Sequence, residues 1–227
     1  MRTASSPRAP RAASTALLAA LAIAALLGPR AVRAQLPGAP VLQNAFSNPG
    51  LTVAGNYASG DRTSLVAAAI AYAPGAGRFQ FSGGVGRLTL DKADKSATPW
   101  GARLAIPLFS FAGGRGGVAP FVGFGGASID SVKLMQVPVG VGAGWRMGLG
   151  ATRALSVYGT GTYLWARTTV GDTKESAGLV RFAAAADVTV IRNLGLTLGF
   201  EAGSNAGAGE SGPTGSIFGV GLSWAFR

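Results

Sequence analysis

Met135-Gln-Val-Pro-Val-Gly-Val-Gly-Ala-Gly-Trp-Arg-Met147 is the stretch whose reading decides the fold. Its odd positions carry Met135, Val137, Val139, Val141, Ala143, Trp145 and Met147, and its even positions Gln136, Pro138, Gly140, Gly142, Gly144 and Arg146. Alternation with period 2 is the mark of a β-strand whose two faces meet different surroundings. At about 3.3 Å per residue the stretch reaches about 40 Å, enough to cross the apolar layer of a bilayer when tilted by about 45°. An ordinary globular strand has only about 5–6 residues. One row holds nearly all the bulk and the other almost none, as expected of a wall with lipid outside and a narrow interior within.

Outward from this stretch the same rhythm recurs, giving ten strand candidates at about 51–58, 65–73, 79–89, 100–111, 118–127, 134–148, 155–167, 178–189, 195–204 and 216–226. Tight connections are expected at Pro74–Gly77, Ala112–Gly117, Leu149–Ala154 and Arg192–Leu194. Longer polar loops are expected at Ser59–Ser64, Asp91–Pro99, Ser128–Lys133, Thr168–Ala177 and Asn205–Gly215. Short turns on one side and longer loops on the other describe an antiparallel up-and-down transmembrane barrel of about ten strands, or eight if two candidates merge or fail. Strand parity turns Trp100, Trp145, Trp165 and Trp224 outward. Tyr57, Trp100, Tyr163 and Trp165 fall towards the loop side, and Tyr72, Trp145, Trp224 and Phe226 towards the turn side. Two aromatic belts at two water interfaces suit a lipid-facing barrel. The strand middles hold Gly, Ala, Val and Leu.

The first 34 residues read differently. Arg2, Arg8 and Arg11 precede the apolar run Ala16–Leu27, Gly28-Pro29 breaks it, and Val32-Arg33-Ala34 offers a cleavage site, so 1–34 reads as a secretory signal. Twelve apolar residues are too few for a spanning helix, which needs about 20. Residues 35–50 are rich in turn formers and form a lead-in, leaving 51–227 for the barrel. The chain contains 36 Gly and neither Cys nor His, so no disulfide stabilises the exported form. The formal charge of +11 falls to +6 without the five arginines of the signal. The remaining cations are scattered, which excludes a nucleic-acid footprint.

The signal, the alternating strands and the last strand, Ser216 to Arg227, resemble small bacterial outer-membrane β-barrel proteins of the OmpA/OmpX-like kind. The resemblance covers about three quarters of the chain and implies an outer-membrane location. It further implies recognition of the final strand, through Phe218, Val220, Leu222, Trp224 and Phe226, by the barrel-assembly machinery. Arg227 departs from the family's terminal aromatic residue. Outer-membrane lipids are the other expected partner, and a monomer is expected.

Chemistry, if any, belongs on the interior face. Parity places Arg103, Arg146, Arg181, Asp187 and Glu201 there, with Thr52, Asn56, Gln80, Ser82, Gln136, Ser156, Thr160, Thr162, Thr197 and Ser223. Arg103, Arg181 and Glu201 are expected nearer the loops, and Arg146 and Asp187 nearer the turns. Such charges either pair into a network that plugs the barrel or line a water path with a weak anion preference. Without His or Cys there is no ordinary nucleophile–histidine pair and no thiolate, and the two inward acids lie at different heights, so no enzyme, metal or cofactor is expected. A structural role with limited passive permeability is the expected function, with a porin-like channel and a surface adhesin acting through its loops as rivals. The charged runs Asp91–Lys95 and Asp172–Glu175 would serve the adhesin. A water-soluble secreted barrel shares the same strand rhythm.

Overall fold

The computed structural model describes residues 49–60, 63–75, 78–90, 95–150, 153–206 and 216–226. The expected signal and nearly all of the lead-in lie outside the described residues. Every regular element among the described residues is a strand: β1 (Gly50–Gly60), β2 (Thr63–Ala73), β3 (Gln80–Leu90), β4 (Lys95–Ala97), β5 (Trp100–Ala105), β6 (Phe109–Phe111), β7 (Gly116–Ile129), β8 (Val132–Gly148), β9 (Ala154–Val170), β10 (Thr173–Ile191), β11 (Leu194–Ala206) and β12 (Ile217–Phe226). Each pairs antiparallel with its neighbour. The last returns to the first, Leu51 opposite Phe226 through Gly60 opposite Ile217. Because β4, β5 and β6 are pieces of one wall strand, the ring has ten strands, and the eight-strand alternative falls away.

Proline explains that interruption, which corrects the single strand expected over 100–111. Proline has no N–H to give a ladder. Pro99 separates β4 from β5 without a register change, its carbonyl accepting from the Gly86 N–H at 2.9 Å. Pro107 falls just past Ala105, whose partner Gln80 is the first residue of β3. On the β7 side, Ile106 and Leu108 still donate to the carbonyls of Pro120 and Val118, each at 3.0 Å.

The connections also depart from expectation. On the side expected to carry long loops, Gly171 and Asp172 alone join β9 to β10, and Asp130 and Ser131 alone join β7 to β8. The polar residues expected in loops there continue the strands instead. β8 and β9 each have 17 residues and β10 has 19, against 11 for β1 and β2. At about 3.3 Å per residue β10 extends about 63 Å, beyond an apolar band about 25 Å tall even when tilted. These strands project into water, so their ends are polar for the same reason a loop would be. At these two connections the asymmetry is one of strand length, while the loop expected at Asn205–Gly215 lies almost entirely, and that at Asp91–Pro99 in part, outside the described residues.

Glycine lets the wall strands lie close to bulky neighbours. A Cβ built at Gly140 would meet the Phe121 ring at 2.6 Å and the Gly161 carbonyl, while one at Gly55 meets nothing within 4 Å. Trp100, Tyr163 and Phe111 likewise lie across Gly126, Gly178 and Gly116. Such pairing shields glycine backbone and fixes the ring. Gly140→Val is expected to destabilise the barrel by about 1–3 kcal/mol, read as a lower urea midpoint of the folded-form gel band in detergent. Gly55→Val should leave that midpoint unchanged.

Candidate functional site

The outer wall is apolar. Val139, Val141, Phe182, Leu198 and Leu222 are exposed at mid-strand, with Tyr57, Trp100, Tyr163 and Trp165 towards one rim and Tyr72, Trp145, Trp224 and Phe226 towards the other, all exposed and outward. Function therefore has to sit in the lumen or at the rims.

The lumen changes character along its axis. At the end where β9 meets β10, inward positions carry Leu65, Leu88, Ile129 and Ile217, buried in one cluster with Leu90 and Leu134 against it. Leu164 and Leu179 form a second buried contact on the opposite wall. This is an apolar collar where the sequence predicts polar and small residues. Along β2 parity gives little contrast, because both of its faces are apolar, Ala67, Ala68 and Ala69 among them.

Below the collar the charges begin. Arg181 on β10 and Glu201 on β11 are almost fully buried and joined by an Nε–Oε1 bond of 2.9 Å. Ala183, directly opposite Glu201, is two residues below Arg181 on β10, so the two side chains share one face and one depth. Gln136 is buried one inward position from Leu134 on β8. Arg103, expected at a height similar to this pair, places its guanidinium 4.0 Å from the centre of the Phe121 ring. Tyr158 stands within electrostatic reach of Arg103.

Phe121 and Tyr158 are absent from the interior set read from sequence, and they correct the expectation that bulky rings avoid mid-strand inward positions. Both are buried. Tyr158 shares the parity of Ser156, Thr160 and Thr162, and Phe121 falls in the small row of Ala119, Gly123 and Gly125. The signal was present. The same alternation that turns the four tryptophans outward places these two rings inward. Phe121 is admitted because Gly140 beside it has no side chain.

Towards the turn side one ladder row is polar across most of its width. Arg146 pairs with Ser156, Ser156 with Asp187, Asp187 with Thr197, and Thr197 with Gly221, which pairs with Asn56. Arg146 Nε donates to Ser156 Oγ at 3.3 Å. Asp187 lies within electrostatic reach of Arg146, as the expected depth of both implies. The Asn56 amide is buried with no protein partner for either polar atom. Among the described residues no group of three or more acids stands together as a metal site. Of the charged loop runs, Lys95 bonds Asp130 at 2.6 Å, Asp172 lies in the β9–β10 turn, and Asp91–Asp94 are outside the described residues.

A closed ten-strand up-and-down wall, apolar outside and mixed within, is the fold of an outer-membrane β-barrel. No protein-family model matches the chain, and no curated protein does. The fold is similar to the β domain of the Bordetella autotransporter BrkA, with 12% identity over 78% of this chain and 98% of that one and a TM-score of 0.50. Weaker likenesses reach the N-terminal β-barrel domain of Pseudomonas aeruginosa OprF (10% identity, 78% and 96% covered, TM-score 0.35) and the KdgM porin (10% identity, 78% and 99% covered, TM-score 0.40).

Removing one member of a buried ion pair strands the other in a poor solvent for charge. Glu201→Ala is expected to lower barrel stability by about 3–5 kcal/mol, and Arg181→Met with Glu201→Leu to recover most of that loss. Urea titration of both variants in detergent checks the difference.

Proposed function

We propose that the chain is a non-enzymatic integral protein of the bacterial outer membrane, with a structural role and a lumen closed at rest to all but slight passive permeation. The apolar collar above the Arg181–Glu201 pair carries this reading. A ring of Leu and Ile across a narrow passage expels water, and an ion pair beneath it removes the fixed charge that would draw ions in. Ten strands exceed the roughly eight whose interior side chains just fill, so inward rings and branched chains supply the extra volume. The chain is OmpA/OmpX-like in being a small single-chain barrel, although it has more strands than barrels of that size. Lipid contacts through the exposed outer wall, insertion by the assembly machinery through β12, cleavage after about Ala34 and a monomeric state belong to the same proposal.

Non-enzymatic character is supported by the lack of His and Cys. The inward acids are also far apart, since Asp187 lies four residues along β10 from Ala183, the partner of Glu201. That offset is about 13 Å of strand, more than the separation at which two carboxyl groups cooperate.

A porin-like channel with a weak anion preference is the second reading. The polar row from Arg146 to Asn56 favours it, as do three inward arginines against two acids.

Planar-bilayer recording separates the two. The unsubstituted barrel is expected to show almost no conductance, and Leu65→Ser with Leu88→Ser and Ile129→Ser to open it with a weak anion preference. Stable openings in the unsubstituted protein would overturn the closed lumen in favour of the porin.

A further inference from the structure

The outward face of β9 changes chemistry in steps as it rises: Val157, Gly159 and Gly161, then Tyr163 and Trp165, then Arg167 and Thr169. Its neighbours keep the same order. Val137, Trp165 and Gly178 share one ladder row, Met135, Arg167 and Ser176 the next, and Lys133, Thr169 and Lys174 the one above. Lys133, Arg167 and Lys174 are all exposed. Two strand spacings put Lys133 and Lys174 about 10 Å apart, with Arg167 about 7 Å below them on the strand between.

The nearby acids do not balance these cations. Asp130 is bonded to Lys95 at 2.6 Å. Glu175 has the inward parity of Leu179 and Arg181, and Asp172 lies in the turn beyond the last ladder row. Three like charges on one face repel one another unless an anion joins them. Directly below, Tyr163 and Trp165 mark the depth at which aromatic rings meet the water–lipid interface.

We propose that Lys133, Arg167 and Lys174 form a seat for a phosphate-bearing lipid headgroup of the leaflet at the β9–β10 rim. This proposal rests on the membrane reading above. The Arg167 guanidinium can present two parallel N–H donors to phosphate oxygens, and the two ammonium groups close on it as point charges. A lipid is the occupant, in place of a free anion, because the cationic rows pass without a break into Trp165, Val137 and Tyr163. That surface suits the acyl chains of the same molecule.

The test uses the full chain in phosphatidylcholine nanodiscs containing a minority of phosphatidic acid, with retained lipid counted by native mass spectrometry. The unsubstituted protein is expected to retain phosphatidic acid in preference to phosphatidylcholine. Lys133→Gln, Arg167→Gln and Lys174→Gln together should lose that preference, by about fivefold for each cation removed. Arg153→Gln with Arg192→Gln, at the opposite rim, should keep it. If the triple variant does not fold, Arg167→Gln alone gives the same answer at about fivefold. Equal retention by variant and unsubstituted protein, or full displacement of the lipid by inorganic phosphate, would overturn the seat. Heat-modifiable migration separates the two levels. An inserted barrel with no lipid preference removes only this site, whereas a chain that does not enter nanodiscs removes the membrane reading and the site together.

Discussion

Closure of the ladder is the constraint on which the rest depends. In hydrocarbon no water is available to a backbone N–H or C=O, and each group left unpaired costs several kcal/mol. The pairing of β1 with β12, from Leu51 opposite Phe226 to Gly60 opposite Ile217, removes the two edges that an open sheet would present. Once the ring is closed, alternation has only two destinations. Side chains at Val139, Leu198 and Leu222 look out, and those at Thr197, Arg181 and Gln136 look in.

That geometry makes the interior scarce space, and the sequence divides it by size. Gly140 on an inner row leaves room for the Phe121 ring, over which the Arg103 guanidinium lies. The charges that enter are held by partners, most closely at Arg181 and Glu201. A buried pair of this kind is a poor source of stability relative to apolar packing, but it tolerates no partial loss. It lies below the collar of Leu65, Leu88, Ile129 and Ile217, and the closed lumen proposed above rests on the two together. The strands that continue past the collar, β8 to β10, then bring their polar ends and the basic corner to the membrane surface.

Much of the fold was legible because alternation is a local signal. Val137 to Met147 announces its two faces within a single strand, and the ten candidates correspond to the ten strands of the ring. The belts at Trp100, Trp145, Trp165 and Trp224 follow from the same parity. Three features were harder to read. Pro107 divides the run 100–111, whose apolar pattern alone looks continuous, and β4 falls within the loop expected over Asp91–Pro99. Polar strand ends such as Thr168–Val170 cannot be distinguished from loops by composition, because a strand in water and a loop in water are selected by the same solvent. The collar was concealed in part along β2, where both faces are apolar and parity has little contrast. The Arg181–Glu201 bond needed the β10–β11 register, which depends on a two-residue turn at Arg192 and Asn193 and on a bulge between Thr189 and Ile191.

Orientation of the two faces is the central claim, and spin labelling tests it directly because the chain has no native cysteine to interfere. Single cysteines at successive positions from Leu196 to Phe200, labelled and inserted in liposomes, should alternate in their collisions with oxygen, which partitions into lipid. Leu198 is expected to be high and Thr197 low. Uniform accessibility along the strand, or a high value at Thr197 with a low one at Leu198, would contradict the account.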